Sequence, residues 1–371
     1  MRTSFAAAAA LVYLVGYSQT SAAAQSKTWV MTWFAPAMAN FDERDCPSGV
    51  NPRWAVQRIE NLRHLGYTEA QIRQLQKEEN AGQEGYEASR IVDENRMRGR
   101  VRGQPVNAYL YPANVDDPKL KPVHGPGFAY GFHMKGSSFD GAQPALTDPE
   151  THEKNVTNQF ARAVGCLPQF RGTLEHPGNN WVWVWSQLKT QRPAWLVTLQ
   201  ADEIGRDGPV TILIERAVEA VTVNADSSAR SDVTYRVRPD KRSVNQFEGQ
   251  MKNGLITLTQ PGSQDMYLLY DTAILPEFRM KRVYLRMKMN PRGELEGFIS
   301  GHEPWADLYY GMGSGGKNNE DANTGDLPGI FYLLKQHADA DPHPGSGQNT
   351  TISITYNFTS IPALRVPPRA R

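Results

Sequence analysis

The spacing of apolar residues changes character along this chain. Up to Cys166 the recurring apolar positions keep helical spacing; from Pro209 onward they alternate. After a turn at Asp45-Cys46-Pro47-Ser48-Gly49, Pro52 opens a predicted helix. Val56, Ile59 and Leu62 fall on one of its faces, and Gly66 is placed to stop it. Thr68-Glu69-Ala70-Gln71 has the capping-box pattern, so a second helix is predicted from Glu69, with Ile72 and Leu75 as its apolar contacts. Residues 107–147 carry many Pro and Gly and predict loops and short strands. Asp148-Pro149 then reads as an N-cap and a first-turn proline. Val156, Phe160 and Val164 follow at i, i+4, i+8, and Gly165 and Cys166 end that helix.

In the second half the period is two. VTILIERA is a buried-strand run, DVTYRVR alternates, and MKNGLITL contains the hairpin dipeptide Asn253-Gly254. DMYLLYDTAIL reads as a further strand. The clearest element is residues 282–301, where Asn290-Pro291-Arg292-Gly293 suits a type I turn with a glycine bulge. That register sets Met289 opposite Leu295 and Leu285 opposite Ile299 on one face, and Lys288 opposite Glu296 on the other. A short helix is predicted at 329–338, capped by Asp326-Leu327-Pro328. A last strand is expected at 351–358, followed by a frayed VPPRAR tail. The expected fold is α+β: a helical N-terminal part packed on a mainly antiparallel β-sandwich. Residues 25–150 would form the helical, loop-rich region and 151–371 the sandwich region, together one compact unit.

The remaining segments bear on location. Met1-Arg2, the apolar run at 5–16 and Ala22-Ala23-Ala24 read as a signal peptide over residues 1–24, cleaved near Ala24. The expectation is a periplasmic or secreted protein with no transmembrane segment after cleavage. Its two cysteines, Cys46 and Cys166, would then meet an oxidising compartment and form one disulfide; two buried free thiols are the alternative. A formal charge of +1 gives no field toward nucleic acid, and the arginines of RMRGRVRGQ have no interleaved aromatics, so they read as a solvated loop or edge rather than an anion-binding arm.

Candidate chemistry is sparse. The sequence has no HExxH, GxSxG or P-loop motif. His302 and Glu303 end the clear hairpin and are the catalytic candidates, as an acid/base pair or metal ligands, with Trp305 beside them as a binding residue. The polar loop at 311–329 offers Asp321, Asn323 and Asp326 as hard oxygen ligands for Ca²⁺, without the full calcium-loop spacing. No other cofactor is expected. The loop at 337–348 adds Asp339, Asp341 and His343 as binding candidates near the same short helix. Trp181, Trp183 and Trp185 form either a sugar-stacking strand or part of a core; the apolar PAWLVTLQADEI that follows favours the core.

NVTNQFARAVGC, with Asn158, Gln159, Arg162, Gly165 and Cys166, resembles a pattern in a group of uncharacterised exported proteobacterial proteins. DERDCPSGVNP and DLPGIFYLLKQHADADPHPGSGQNTTIS are similar to that group as well. The resemblance implies export and a matched pair of cysteines, and nothing about activity. The functional expectation is a non-catalytic exported protein that binds a small molecule, a glycan or an envelope protein. The alternative is a secreted polysaccharide hydrolase or lyase working through His302 and Glu303.

Overall fold

The computed structural model describes residues 24–39, 43–52, 54–79, 98–108, 110–138, 145–171, 193–240, 242, 244–269, 277–313 and 328–368. Its centre is a ring of eight antiparallel strands: β1 (Gln25–Pro36), β2 (Pro193–Ala201), β3 (Gly208–Ala220), β4 (Val244–Lys252), β5 (Leu255–Leu258), β6 (Glu277–Met289), β7 (Leu295–Pro304) and β8 (Asn349–Val366). Each pairs with the next in chain order. β8 returns to β1 along Thr28–Ala363 through Pro36–Tyr356 and closes the ring.

This up-and-down barrel replaces the expected helical part on a sandwich. Strands make up 44% of the structure and the helices are few and short, so the molecule is mostly β. The physical reason is that alternation specifies one buried face per strand, and both architectures satisfy it. What decides is the pairing of the first strand with the last, for which no local signal exists. β1 also hides its period. A bulge between Met31 and Trp33 puts Trp29, Met31 and Phe34 on the same inner face, which breaks strict alternation.

The inner face is apolar. Trp29, Trp195, Val197, Ile212, Ile214, Phe247, Ile256, Leu285, Ile299 and Phe358 are all buried in one cluster. The outer face is polar where it is open: Gln246, Glu248, Gln250 and Lys252 of β4 are exposed. That is the reverse of a lipid-facing barrel. Among the described residues no helix is long and apolar enough to cross a membrane.

A long connection runs from β1 to β2, and Phe160, Val164, Leu167 and Phe170 in it join the barrel's core cluster. It carries α1 (Trp54–His64) and α2 (Glu69–Glu79), close to the predicted helices. The capping box is formed: the Gln71 N–H donates to Thr68 Oγ1 at 3.3 Å, and the Thr68 N–H donates to Gln71 Oε1 at 2.8 Å. Leu62 is buried as expected, but Val56, expected on the same face, is 49% exposed, and Gln57 and Asn61 are buried beside Leu62. α3 (Gln159–Val164) starts at Asn158, whose side chain accepts from the Ala161 N–H. Asp148 caps no helix. Cys46 and Cys166 form a disulfide that ties the start of the connection to the end of α3. At the far end of β7, α4 (Trp305–Gly313) follows at once, and α5 (Gly329–His337) supplies Ile330, Leu333 and Leu334 to the core.

The predicted hairpin is present in the predicted register. Met289 pairs with Leu295, Lys288 with Glu296 and Leu285 with Ile299, and Gly293 takes a positive φ of 77°. Asn253-Gly254 likewise turns β4 into β5. β8 is longer than expected and runs to Val366, because its C-terminal end pairs with the parallel strand Val233–Arg236.

Candidate functional site

Register lines up side chains from five strands on the outer wall. Trp33 of β1 stands opposite Thr359 of β8, Thr359 opposite Glu296 of β7, Glu296 opposite Lys288 of β6, and Lys288 opposite Leu255 of β5. Two residues along, a second row reads Ala35, Asn357, Phe298, Arg286 and Thr257. Over the part of these rows from Leu255 to Thr359, on β5 to β8, lies an open groove of about 440 Å³; Trp33 and Ala35 of β1 lie beyond its lining. Tyr130, Glu150 and Thr151 of the long connection line its other side.

The groove is held in shape by a layered stack. Phe298 stacks on Tyr130, with ring centroids 4.7 Å apart and planes at 21°. The Arg286 guanidinium lies 4.7 Å from the Phe298 ring and 5.0 Å from the Phe132 ring. It donates to Asp148 Oδ2 at 2.6 Å and to the Gly131 carbonyl at 3.1 Å. Asp148 is fully buried and also accepts from the N–H groups of Gly131, Glu150 and Thr151. Burial alone would raise its pKa; the Arg286 and backbone hydrogen bonds outweigh this and hold it below the ordinary value. The same carboxylate thus fixes both the turn at Glu150 and the arginine beneath it. Lys288 Nζ sits between two carboxylates, 3.1 Å from Glu150 and 3.7 Å from Glu296. The hydrogen bond to Glu150 raises the lysine pKa.

Three of the residues singled out by sequence converge beside this wall, under the loop at 133–138. His302 points outward from β7 and is fully buried. Its Nδ1 accepts from Arg282 Nε at 3.3 Å, so the proton of the neutral ring sits on Nε2. Nε2 is 4.0 Å from Asp339 Oδ2 and makes no hydrogen bond among the described residues. Burial, with the nearby Arg282 charge, lowers the His302 pKa to about 4. Asp339 accepts from Ser137 Oγ at 2.6 Å and from the Ser353 N–H at 2.8 Å, and burial raises its pKa. Arg282 reaches Asp341 with both terminal nitrogens, at 2.9 and 3.2 Å. Burial would raise the Asp341 pKa, but hydrogen bonds from Arg282, Thr351 and Lys281 drive it well below the carboxylate range.

Glu303 faces the other way. It points into the barrel, is 5% exposed, and accepts from the Tyr356 hydroxyl. Its Oε1 has no hydrogen-bond partner among the described residues. Burial pushes its pKa up to about 8, with Asp307 adding to the rise. His302 and Glu303 therefore lie on opposite sides of one strand and do not form a pair. Trp305 packs edge-on against Phe331, with centroids 5.2 Å apart. His343 is exposed in a turn, where its Nδ1 accepts from the Gly345 N–H. Asp321, Asn323, Asp326 and the three tryptophans Trp181, Trp183 and Trp185 lie outside the described residues. Among the described residues no group of three or more His, Cys, Asp or Glu side chains is placed to hold a metal ion.

Sequence reasoning reached the groove only at its floor, through the Lys288–Glu296 pair. Tyr130, Asp148, Glu150 and Phe298 come together from distant segments. No protein-family model matches the chain, and no curated protein or solved structure matches it either.

Proposed function

We propose that this chain is an exported, non-catalytic binding protein whose ligand lies in the groove on the outer barrel wall. One observation carries the reading: the groove is open and already built, its aromatic wall fixed by the buried Arg286–Asp148 pair. A preformed site spends little binding energy on ordering itself. The disulfide is compatible with export, and the leader over residues 1–24 supplies the route.

Among the described residues the carboxylates lining the groove, Glu150 and Glu296, are both paired with Lys288. Lys288 Nζ fills the space between Glu150 and Glu296, where a scissile bond would have to enter. The carboxyls with raised pKa, Glu303, Asp307 and Asp339, are not among the residues that line the groove. The hydrolase or lyase alternative needs His302 and Glu303 on one side, and they face opposite sides of β7.

The test is a thermal-shift screen of the oxidised mature protein against soluble glycans, amphiphiles, Ca²⁺ and EDTA. A ligand at 100 times its Kd adds about 2.7 kcal/mol of stability. The expected result is a stabilising ligand whose effect is reduced in Phe298→Ala. A ligand whose effect is unchanged in Phe298→Ala overturns the site, and release of new reducing ends from a bound glycan overturns the non-catalytic reading.

A further inference from the structure

We infer that the ligand of this groove is a neutral oligosaccharide lying across the strands, along the row from Leu255 to Trp33; the inference rests on the binding reading above. The row crosses five strands at roughly 4.8 Å spacing, so it extends over about 19 Å, long enough for a chain of sugar rings and too long for one. It begins at exposed Leu255, passes beside the Phe298–Tyr130 stack, leaves the groove at Thr359 and ends one strand further on at half-buried Trp33. Between these apolar surfaces stand the ion-paired Lys288 and Glu296 and the exposed Thr359. Apolar faces interrupted by fixed donors and acceptors match the two aspects of a sugar, its C–H face and its hydroxyl edge.

Charge excludes the main competitors. Each cation of the lining is already matched, Arg286 by Asp148 and Lys288 by Glu150 and Glu296. An anionic ligand would have to break one of these pairs, and leave its carboxylate alone. An acyl chain would cover the Lys288–Glu296 pair without hydrogen-bonding it, which is costly. An extended peptide cannot add a strand over the groove, since β8, β7, β6 and β5 are each paired on both sides along this row.

The experiment is calorimetric titration of the oxidised protein with neutral tetrasaccharides of several linkages, glucose, an oligogalacturonate of four units and a lauryl amphiphile. Wild type is compared with Trp33→Ala, Phe298→Ala and Thr359→Arg, the last an exposed position that blocks the row without touching the core. Tyr267→Ala, on another part of the wall, is the control. The expected result is a neutral tetrasaccharide bound far more tightly than glucose. Affinity should fall roughly two- to tenfold in each aromatic variant, vanish in Thr359→Arg and hold in the control. Phe298-dependent binding of the amphiphile or the oligogalacturonate, with no neutral glycan bound, overturns the glycan inference and leaves the binding reading standing. Glycan binding unaffected by Thr359→Arg overturns the placement along the row. No Phe298-dependent binding of any probe overturns both.

Discussion

Arg286 serves two neighbours at once. It is the cation under the Phe298 ring and the partner that keeps Asp148 ionised in a dry site. Removing it leaves a buried carboxylate without its charge partner, a loss of roughly 3 to 5 kcal/mol. Arg286→Ala should therefore shift the urea midpoint strongly, and a shift under about 1 kcal/mol would contradict this account. Glu303 makes an opposite prediction. Its carboxyl ionises near 4.5 in the unfolded chain and near 8 in the barrel. Below the lower value both states hold the proton and nothing is lost. Between the two, the unfolded chain ionises and the folded chain does not, so stability falls as pH rises and levels off above about 8. Glu303→Gln should add up to on the order of 4 kcal/mol at pH 8 and almost nothing at pH 4, read from urea unfolding at both values. Sequence alone made His302 and Glu303 candidates because of their chemistry. It also held the reason they cannot cooperate, since adjacent strand residues point apart. What it did not hold was Tyr130 or Asp148 reaching Phe298 and Arg286, contacts set by tertiary packing.

At the scale of elements, the β6–β7 hairpin is where sequence and structure agree best. Turn chemistry and side-chain pattern there select the same register. Two of its glycines separate two kinds of cost. Gly293 has positive φ and open space, its nearest contact for an added Cβ being Lys27 Nζ at 3.7 Å. Gly293→Ala should cost only about 1 kcal/mol, of conformational origin. At Gly297 an added Cβ would lie 2.3 Å from the Arg286 carbonyl oxygen and 2.5 Å from Met287 Cβ. Gly297→Ala should force β6 and β7 apart, with a much larger loss in the same unfolding experiment. Equal effects at both positions would contradict this. Other elements were legible in part. α3 was read from its apolar spacing but placed too early, because Asp148-Pro149 imitates a helix start while making a turn against Arg286. β1 was not legible, since its bulge removes the alternation that marks a strand.

At the scale of the whole molecule, two long-range ties hold the fold: the disulfide and the closure of the ring. Replacing Cys46 and Cys166 together by serine releases a constraint over a sequence separation of 120 residues. The expected loss is roughly 4 to 5 kcal/mol in unfolding free energy, and wild-type stability in the double variant would show the constraint to be idle. The disulfide was legible because there are only two cysteines. The ring was not, because a sheet that closes and a sheet that folds over on another have the same inward and outward alternation.

That closure also sets an order of events during biogenesis. Thr28 meets Ala363, so the first strand made is the one that waits for the last. Until β8 emerges, Trp29, Met31 and Phe34 have no complete interior to enter, and β1 keeps an open edge. Pairing between the two ends of a chain is the slowest kind to form, which lengthens this interval. Until the C-terminal strand takes its place, that edge is where a half-made chain is open to pairing with another copy.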